Sequence, residues 1–267
     1  MNILDELKRR YAGDEGVQQV IRAIARPGAR VAMRGASGSA LSFMASAVIR
    51  SVKQPVVMVL EDKERAAYAL NDLEHLFGLA AKDDGPASMQ GEDGVKLFFF
   101  PRSARVPYQV EQTENANVAM RAEVLNDLRR HKGHTVVVTY AEAIAENVVT
   151  ESEMARNTYD IEVGHTLSLD FMDELFHDFG FEKVDYVYEP GQYAVRGGLI
   201  DIFSFSFDHP YRIELFGNEV ESIRKFEQES QLSVAKMTKA TIVPNVTAHH
   251  SEESRISILE FMPETTV

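Results

Sequence analysis

Three short apolar runs, set between helix-patterned stretches, constrain the first half of this chain more than any other feature. Gln54–Leu60 (QPVVMVL), Lys96–Pro101 (KLFFFP) and Thr135–Thr139 (TVVVT) are too uniformly apolar for strands that show one face to water. Such runs suit strands buried on both faces, as in a parallel sheet covered by helices. The stretches between them carry helical spacing. Gly16–Ala25 reads as a short amphipathic helix, and Ala40–Val52, Asp62–Phe77 and Asn115–Arg130 read as helices, with Ala66, Leu70, Leu73 and Phe77 on one side of the third. A further helix begins at Ala141, Ala29–Arg34 (ARVAMR) reads as another strand, and the Asp/Gly/Pro-rich Lys82–Gly94 reads as a surface loop. Strands alternating with helices in short cycles predict an α/β layer.

The pattern changes near residue 150. Asn157–Val163 alternates as a strand, and Asp170–Phe179 is a short helix with Phe171, Leu175 and Phe179 on one side. Lys183–Tyr188, Tyr193–Phe205, Tyr211–Phe216, Glu219–Glu227 and Val234–Val243 then read as strands. Turn chemistry separates them at Pro190-Gly191, Gly197-Gly198, Asp208-His209-Pro210 and Gly217-Asn218. Ile213–Val220 reads as a tight hairpin. The chain is therefore expected to hold an α/β segment over 1–150 and an α+β module over 151–245. The polar stretch 246–267 does not read as a finished domain: either it is a fragment cut short or it returns to the first module.

Charge divides along the same line. Residues 1–150 hold 19 basic and 19 acidic side chains, leaving 9 and 22 of the totals of 28 and 41 for the remainder. The whole formal charge of −13 thus sits in the second part. An acidic surface repels a polyanion, so that part is suited to a protein partner rather than to nucleic acid. The chain has no cysteine, which excludes disulfides and thiolate metal sites. No apolar run approaches the roughly 18 residues of a membrane span, and the charged amphipathic start is unlike a signal peptide. A cytoplasmic protein is expected.

Between the expected strand Ala29–Arg34 and the helix from Ala40 lies a phosphate-binding loop without its working parts. The pattern G-x-x-x-x-G-K-[ST] uses glycines to turn N–H groups onto phosphate, the lysine to reach the outer phosphates, and the hydroxyl to hold Mg²⁺. Here Gly35 and the spacer containing Gly38 stand, but Ala40 replaces the second glycine and Leu41 the lysine, with Ser42 at the hydroxyl position. A hydrogen bond to a charged group is worth about 1.5–3 kcal/mol. Losing the cation and adding a Cβ costs on the order of several powers of ten in triphosphate affinity. No bound nucleotide or Mg²⁺ is expected. His131-Lys132-Gly133-His134 and His249-His250 lack a carboxylate at ligand spacing, so no metal is expected either. Glu61-Asp62 follows a strand end and reads as a helix cap.

The segment Phe179–Phe226 contains GFEKVDYVYEPGQYAVRGGLIDIF and then PYRIELFGNEVESIRKF. It resembles a long signature in the N-terminal part of bacterial transcription-repair coupling factors, which is itself similar to the DNA-repair protein UvrB. Val106-Pro107-Tyr108, followed by Arg121 and Leu125, resembles the family's L-P-Y…R-x-x-x-L segment, and Val136–Thr139 its next strand. The tyrosine-rich DNA-clamping hairpin of UvrB is not visible in Phe98–Asn117, which favours the coupling factors.

The resemblance implies a RecA-like module that has lost nucleotide binding, interrupted by a smaller α+β module that recruits UvrA. By the same resemblance, the ATP- and Mg²⁺-dependent motor lies elsewhere in the full protein. RNA polymerase and DNA are engaged by its other domains, and another domain of the same chain masks the UvrA surface. Arg196 matches the arginine of the family's R-G segment and is the first candidate contact, its planar fork suiting a partner carboxylate. Tyr193 and Phe203 are candidate aromatic anchors. A second arginine of UvrB-like proteins falls at Ala194, and a basic residue of some coupling factors at Glu182, leaving Lys183 as the nearby substitute. Core burial of Tyr193, Phe203 and Phe205, and a turn-capping role for Arg196, are the competing structural readings. Two other functions stay open: a residual P-loop ATPase or helicase fragment resting on Gly35, Gly38 and Ser42, and DNA binding through Arg102, Arg105, Arg121 and Arg129-Arg130.

Overall fold

The computed structural model describes residues 3–79, 94–103, 112–130, 134–152, 158–205, 209–245, 255–264 and 266–267. The expected loop Lys82–Gly94 lies outside these residues apart from Gly94. So do Arg105, Val106-Pro107-Tyr108, His131-Lys132-Gly133, Asn157, Asp208 and His249-His250. The chain forms two compact units. One comprises Met1–Pro101, Arg130–Ala145 and Met262–Val267; the other comprises Arg102–Arg129 and Glu146–Phe261.

The first unit contains helices α1 (Ile3–Gly13), α2 (Glu15–Ile24), α3 (Ala40–Ser51) and α4 (Lys63–Phe77), and strands β1 (Val56–Leu60), β2 (Val95–Phe100) and β3 (His134–Tyr140). The three strands form a parallel sheet in the order β1-β3-β2. β3 is central and buried along its whole length, as a run of β-branched residues in a covered parallel sheet should be. α4 begins where Asp62 accepts a hydrogen bond from the Arg65 N–H at 2.8 Å, the expected cap. It ends at Gly78 in the left-handed conformation. Ala66, Ala69, Leu73, Leu76 and Phe77 form its buried stripe. Val267 exchanges two hydrogen bonds with the start of β1 and the residue before it, donating to Pro55 O and accepting from Val57 N, both at 2.9 Å.

Ala29–Arg34 departs from expectation. It forms no ladder with the described strands, and Val31 and Met33 are exposed. An alternating pattern makes a strand only where a neighbour completes its hydrogen bonds.

The second unit contains most of α5 (Gln112–Arg130), then β4 (Val148–Val149), β5 (Tyr159–Glu162) and α7 (Leu169–Asp178); a short α6 (Ala141–Ile144) lies before β4 in the first unit. Strands β6 (Glu182–Lys183), β7 (Gln192–Arg196), β8 (Leu199–Ile202), β9 (Tyr211–Phe216), β10 (Glu219–Phe226) and β11 (Ser233–Met237) follow. They make one six-stranded sheet in the order β11-β10-β9-β8-β7-β6, antiparallel except for the β6–β7 pair. β12 (Lys239–Ile242) pairs with β5, and β13 (Arg255–Ile256), which precedes α8 (Ile258–Phe261), pairs with β4. The β9–β10 hairpin turns at Gly217-Asn218 as read from the sequence, with Gly217 at φ +63°.

Three expectations are corrected. The buried stripe of α7 is Met172 and Phe176, whereas Phe171 is 46% exposed. Both stripes are apolar at helical spacing, and only packing selects between them. Of the predicted strand Lys183–Tyr188 only Lys183 belongs to a strand, β6, and the remainder is loop. Val234–Val243 divides into β11 and β12, which belong to different sheets.

Candidate functional site

Each unit presents one place where the candidate residues gather. In the first unit, Gly35 and Gly38 take φ of +89° and +55°, and α3 starts behind Ser39, whose side chain makes no capping bond. A cavity of about 600 Å³ opens here, lined by Ser37, Gly38, Leu41, Ser42, Leu60, Arg65, Tyr68 and Asp72 among others. The strand–loop–helix frame is thus half kept: the turn and helix are present, the strand before them is not. Leu41 contributes an apolar wall where a lysine would stand. Arg65 brings a guanidinium to the lining, but Glu61 and Asp62 lie 3.4 and 3.7 Å from it, and Asp72 adds a carboxylate. Ser42 is buried in α3.

The second unit builds its site on one face of the six-stranded sheet. Ala194, Asp201, Arg212 and Arg224 stand in register across β7, β8, β9 and β10. Asp201 is fully buried (0% exposed) between Ile200 and Ile202. Taking a carboxylate out of water is costly, and arginine pairing offsets that cost. Arg212 binds it with both arms of its fork, Nε donating to Oδ1 at 2.7 Å and Nη2 to Oδ2 at 2.8 Å. That bond holds the Arg212 guanidinium above the usual arginine range. Arg212 also donates to the Gln231 carbonyl and side chain, and its face lies 4.4 Å from the Phe226 ring.

Arg196, at the end of β7, donates through Nη2 to the same Asp201 carboxylate and through Nη1 to the Asp185 carbonyl at 2.6 Å. Its guanidinium sits 4.9 Å from the centre of the Tyr186 ring. Its side chain is 34% exposed, and it helps line a cavity of about 550 Å³ with Lys183, Val184, Asp185, Tyr186 and Val195. Arg196 is therefore not a turn cap: both bonds reach outside the Gly197-Gly198 turn that follows it. The loop over this face is tied down by Val184 packing on a cluster of Val187, Ala194, Phe203 and Phe226, and by Gln231 Nε2 donating to the Val187 carbonyl.

Tyr193 and Phe203 are placed in the core, 3% and 4% exposed, which leaves neither ring a face for a partner. Tyr193 lies 5.0 Å from Phe176, edge to face, and its hydroxyl donates to Asp173 Oδ1 at 2.9 Å. Burial and that bond push its phenol up to about 12. Lys183 is exposed and binds the same Asp173 oxygen at 2.7 Å. Hydrogen bonds from Lys183 and Tyr193 hold Asp173 below the usual carboxylate range. Phe205 packs on Phe181 at 5.0 Å, fully buried.

Sequence reasoning missed Asp201, Arg212 and Tyr186. A signal was present: an aspartate inside the apolar run Leu199–Phe203 needs a buried cation, and Arg212 lies in the following strand-patterned run Tyr211–Phe216. Of the candidate DNA contacts, Arg121 is buried and lies 3.3 Å from Glu146, which also takes Arg102 at 3.1 Å. Arg129 is bonded to Asn126. His134 is buried at the start of β3. Among the described residues no three His, Asp or Glu side chains gather as a metal site, and no helix is long and apolar enough to cross a membrane.

Comparison with known proteins agrees with the resemblance read from Phe179–Phe226. Residues 159–247 match the family model of the UvrB interaction domain. The chain is 27% identical over 212 residues to the transcription-repair-coupling factor of Bacillus subtilis strain 168, covering 79% of this chain and 17% of that protein. Against the corresponding factor of Myxococcus xanthus it is 27% identical over 246 residues, 92% of this chain and 20% of the relative. UvrABC system protein B of Streptococcus uberis is 24% identical over 206 residues, covering 72% and 29%. The chain thus spans a fifth or less of these two coupling factors.

Proposed function

We propose that this chain is a non-catalytic adaptor region of a transcription-repair coupling factor, recruiting UvrA during transcription-coupled nucleotide-excision repair. The observation that carries the reading is Arg196. It lies within the span that matches the UvrB interaction domain, partly exposed at a cavity, with its guanidinium fixed by a buried carboxylate. The acidity of the second part suits a protein partner better than a nucleic acid.

The first unit, in this reading, is a RecA-like scaffold that has lost nucleotide binding. Support comes from Leu41 and Asp72 at the cavity where a triphosphate would need a free cation. ATP, Mg²⁺, RNA polymerase and DNA are handled by other domains of the full protein, and one of those domains masks the Arg196 surface until recruitment. The setting is cytoplasmic.

Calorimetric titration of the chain with its cognate UvrA, without nucleotide on this chain, tests the reading. Saturable binding is expected. A folded sample that shows none at tens of micromolar would sink it.

A further inference from the structure

We propose that Asp201 is the positioning residue of this docking surface, holding Arg196 as a fixed cationic receptor for one carboxylate of the partner. The inference rests on the reading of Arg196 as a partner contact and adds the group that acts through it.

The argument begins with a surplus. Asp201 is fully buried, and Arg212 alone satisfies it through both arms of a fork. One carboxylate paired in this way is neutralised and needs no second cation. Arg196 nevertheless donates to the same oxygen, Oδ2. Two guanidiniums around one carboxylate leave one positive charge over. Arg212 has its donors committed to Asp201 and Gln231 and its face against Phe226, with a side chain only 17% exposed. The surplus charge is therefore presented at Arg196, the more exposed partner.

The geometry also fixes direction. Asp201 holds Nη2 from below, the Asp185 carbonyl holds Nη1 at 2.6 Å, and the Tyr186 ring covers one face. Of five N–H groups in a guanidinium, three stay available, including Nε–H. A freely rotating arginine loses its side-chain freedom when a partner docks. Here that loss has already occurred in folding, which is how supporting contacts raise affinity without touching the partner.

The test combines titration of UvrA into the wild-type chain, Asp201→Asn, Arg196→Ala and the double variant with ¹⁵N NMR of the arginine guanidiniums. Wild-type Arg196 should show restricted rotation of its Nη groups, and Asp201→Asn should release it and weaken UvrA binding about tenfold. In the Arg196→Ala background the same substitution should change affinity less than twofold. An equal loss in both backgrounds, or an Arg196 that stays locked without Asp201, would overturn the proposal. If Asp201→Asn does not fold, Arg196→Lys decides: lysine keeps the charge but cannot span Asp201 and the Asp185 carbonyl, so it should bind as poorly as Arg196→Ala, and wild-type affinity would refute the idea. A wild-type chain that ignores UvrA removes the recruitment reading, while the NMR arm still decides whether Asp201 fixes Arg196.

Discussion

Replacing Gly191 by alanine should cost the second unit about 2–5 kcal/mol. Gly191 follows Pro190 in the turn before β7, at φ +87°, and its backbone is held on both sides. Its N–H donates to Phe203 O and its carbonyl accepts from Glu182 N, each at 2.8 Å. A Cβ there would stand 2.4 Å from Phe205 Cζ and 2.7 Å from Cε1, against an ordinary carbon contact of about 3.5–4.0 Å. The ring has no room to withdraw, because Phe205 is 1% exposed and packs, tilted, against Phe181 in a row that continues through Phe176 to Tyr193. The left-handed backbone contributes roughly 1–2 kcal/mol and the overpacking about 1–3 kcal/mol. Gly197 supplies the control: its φ is +60°, but nothing lies within 4 Å of an added Cβ. Gly197→Ala should therefore cost only the backbone share, about 1–2 kcal/mol. Urea denaturation followed by tyrosine fluorescence measures both, since the chain has no tryptophan. Equal destabilisation by the two substitutions would refute the ring contact.

Two further outcomes follow from the same geometry. Tyr193 should ionise late, at about 12, in a spectrophotometric titration, and Tyr193→Phe should remove that late step. Its folded value lies above the ordinary phenol, so the stability it contributes is complete below pH 10 and declines between about 10 and 12; a Tyr193 that titrates with the exposed tyrosines would contradict this. Calorimetry with ATP and Mg²⁺ should give no saturable binding at millimolar nucleotide, and binding abolished by Ser42→Ala would instead restore the residual P-loop reading.

The parallel sheet was legible because Val56–Leu60, Val95–Phe100 and Val136–Thr139 have no polar face to offer water. Ala29–Arg34 misled because its pattern is that of a strand, while a strand exists only with a neighbour to pair with. The stripe of α7 was ambiguous for a related reason: Phe171 and Leu175 compete with Met172 and Phe176 at equal spacing, and the sheet beneath selects the latter. At the site, Arg196 was found through a resemblance, whereas Asp201 and Arg212 follow from electrostatics. A charge within an apolar run implies its opposite within another, and the β8–β9 register brings the two together. Tyr193 and Phe203 could not be assigned from alternation alone. They point to opposite faces of the same sheet, and each face proves to be covered.

The central claim is that Arg196 serves a partner rather than the fold. Arg212 keeps Asp201 satisfied when Arg196 is removed, so Arg196→Ala should leave stability within about 1 kcal/mol of wild type, as for a partly exposed ion pair. The decisive measurement is UvrA affinity and urea stability on the same Arg196→Ala sample. An affinity loss of about tenfold or more with stability unchanged is predicted; unchanged affinity, or affinity and stability falling together, would contradict the account.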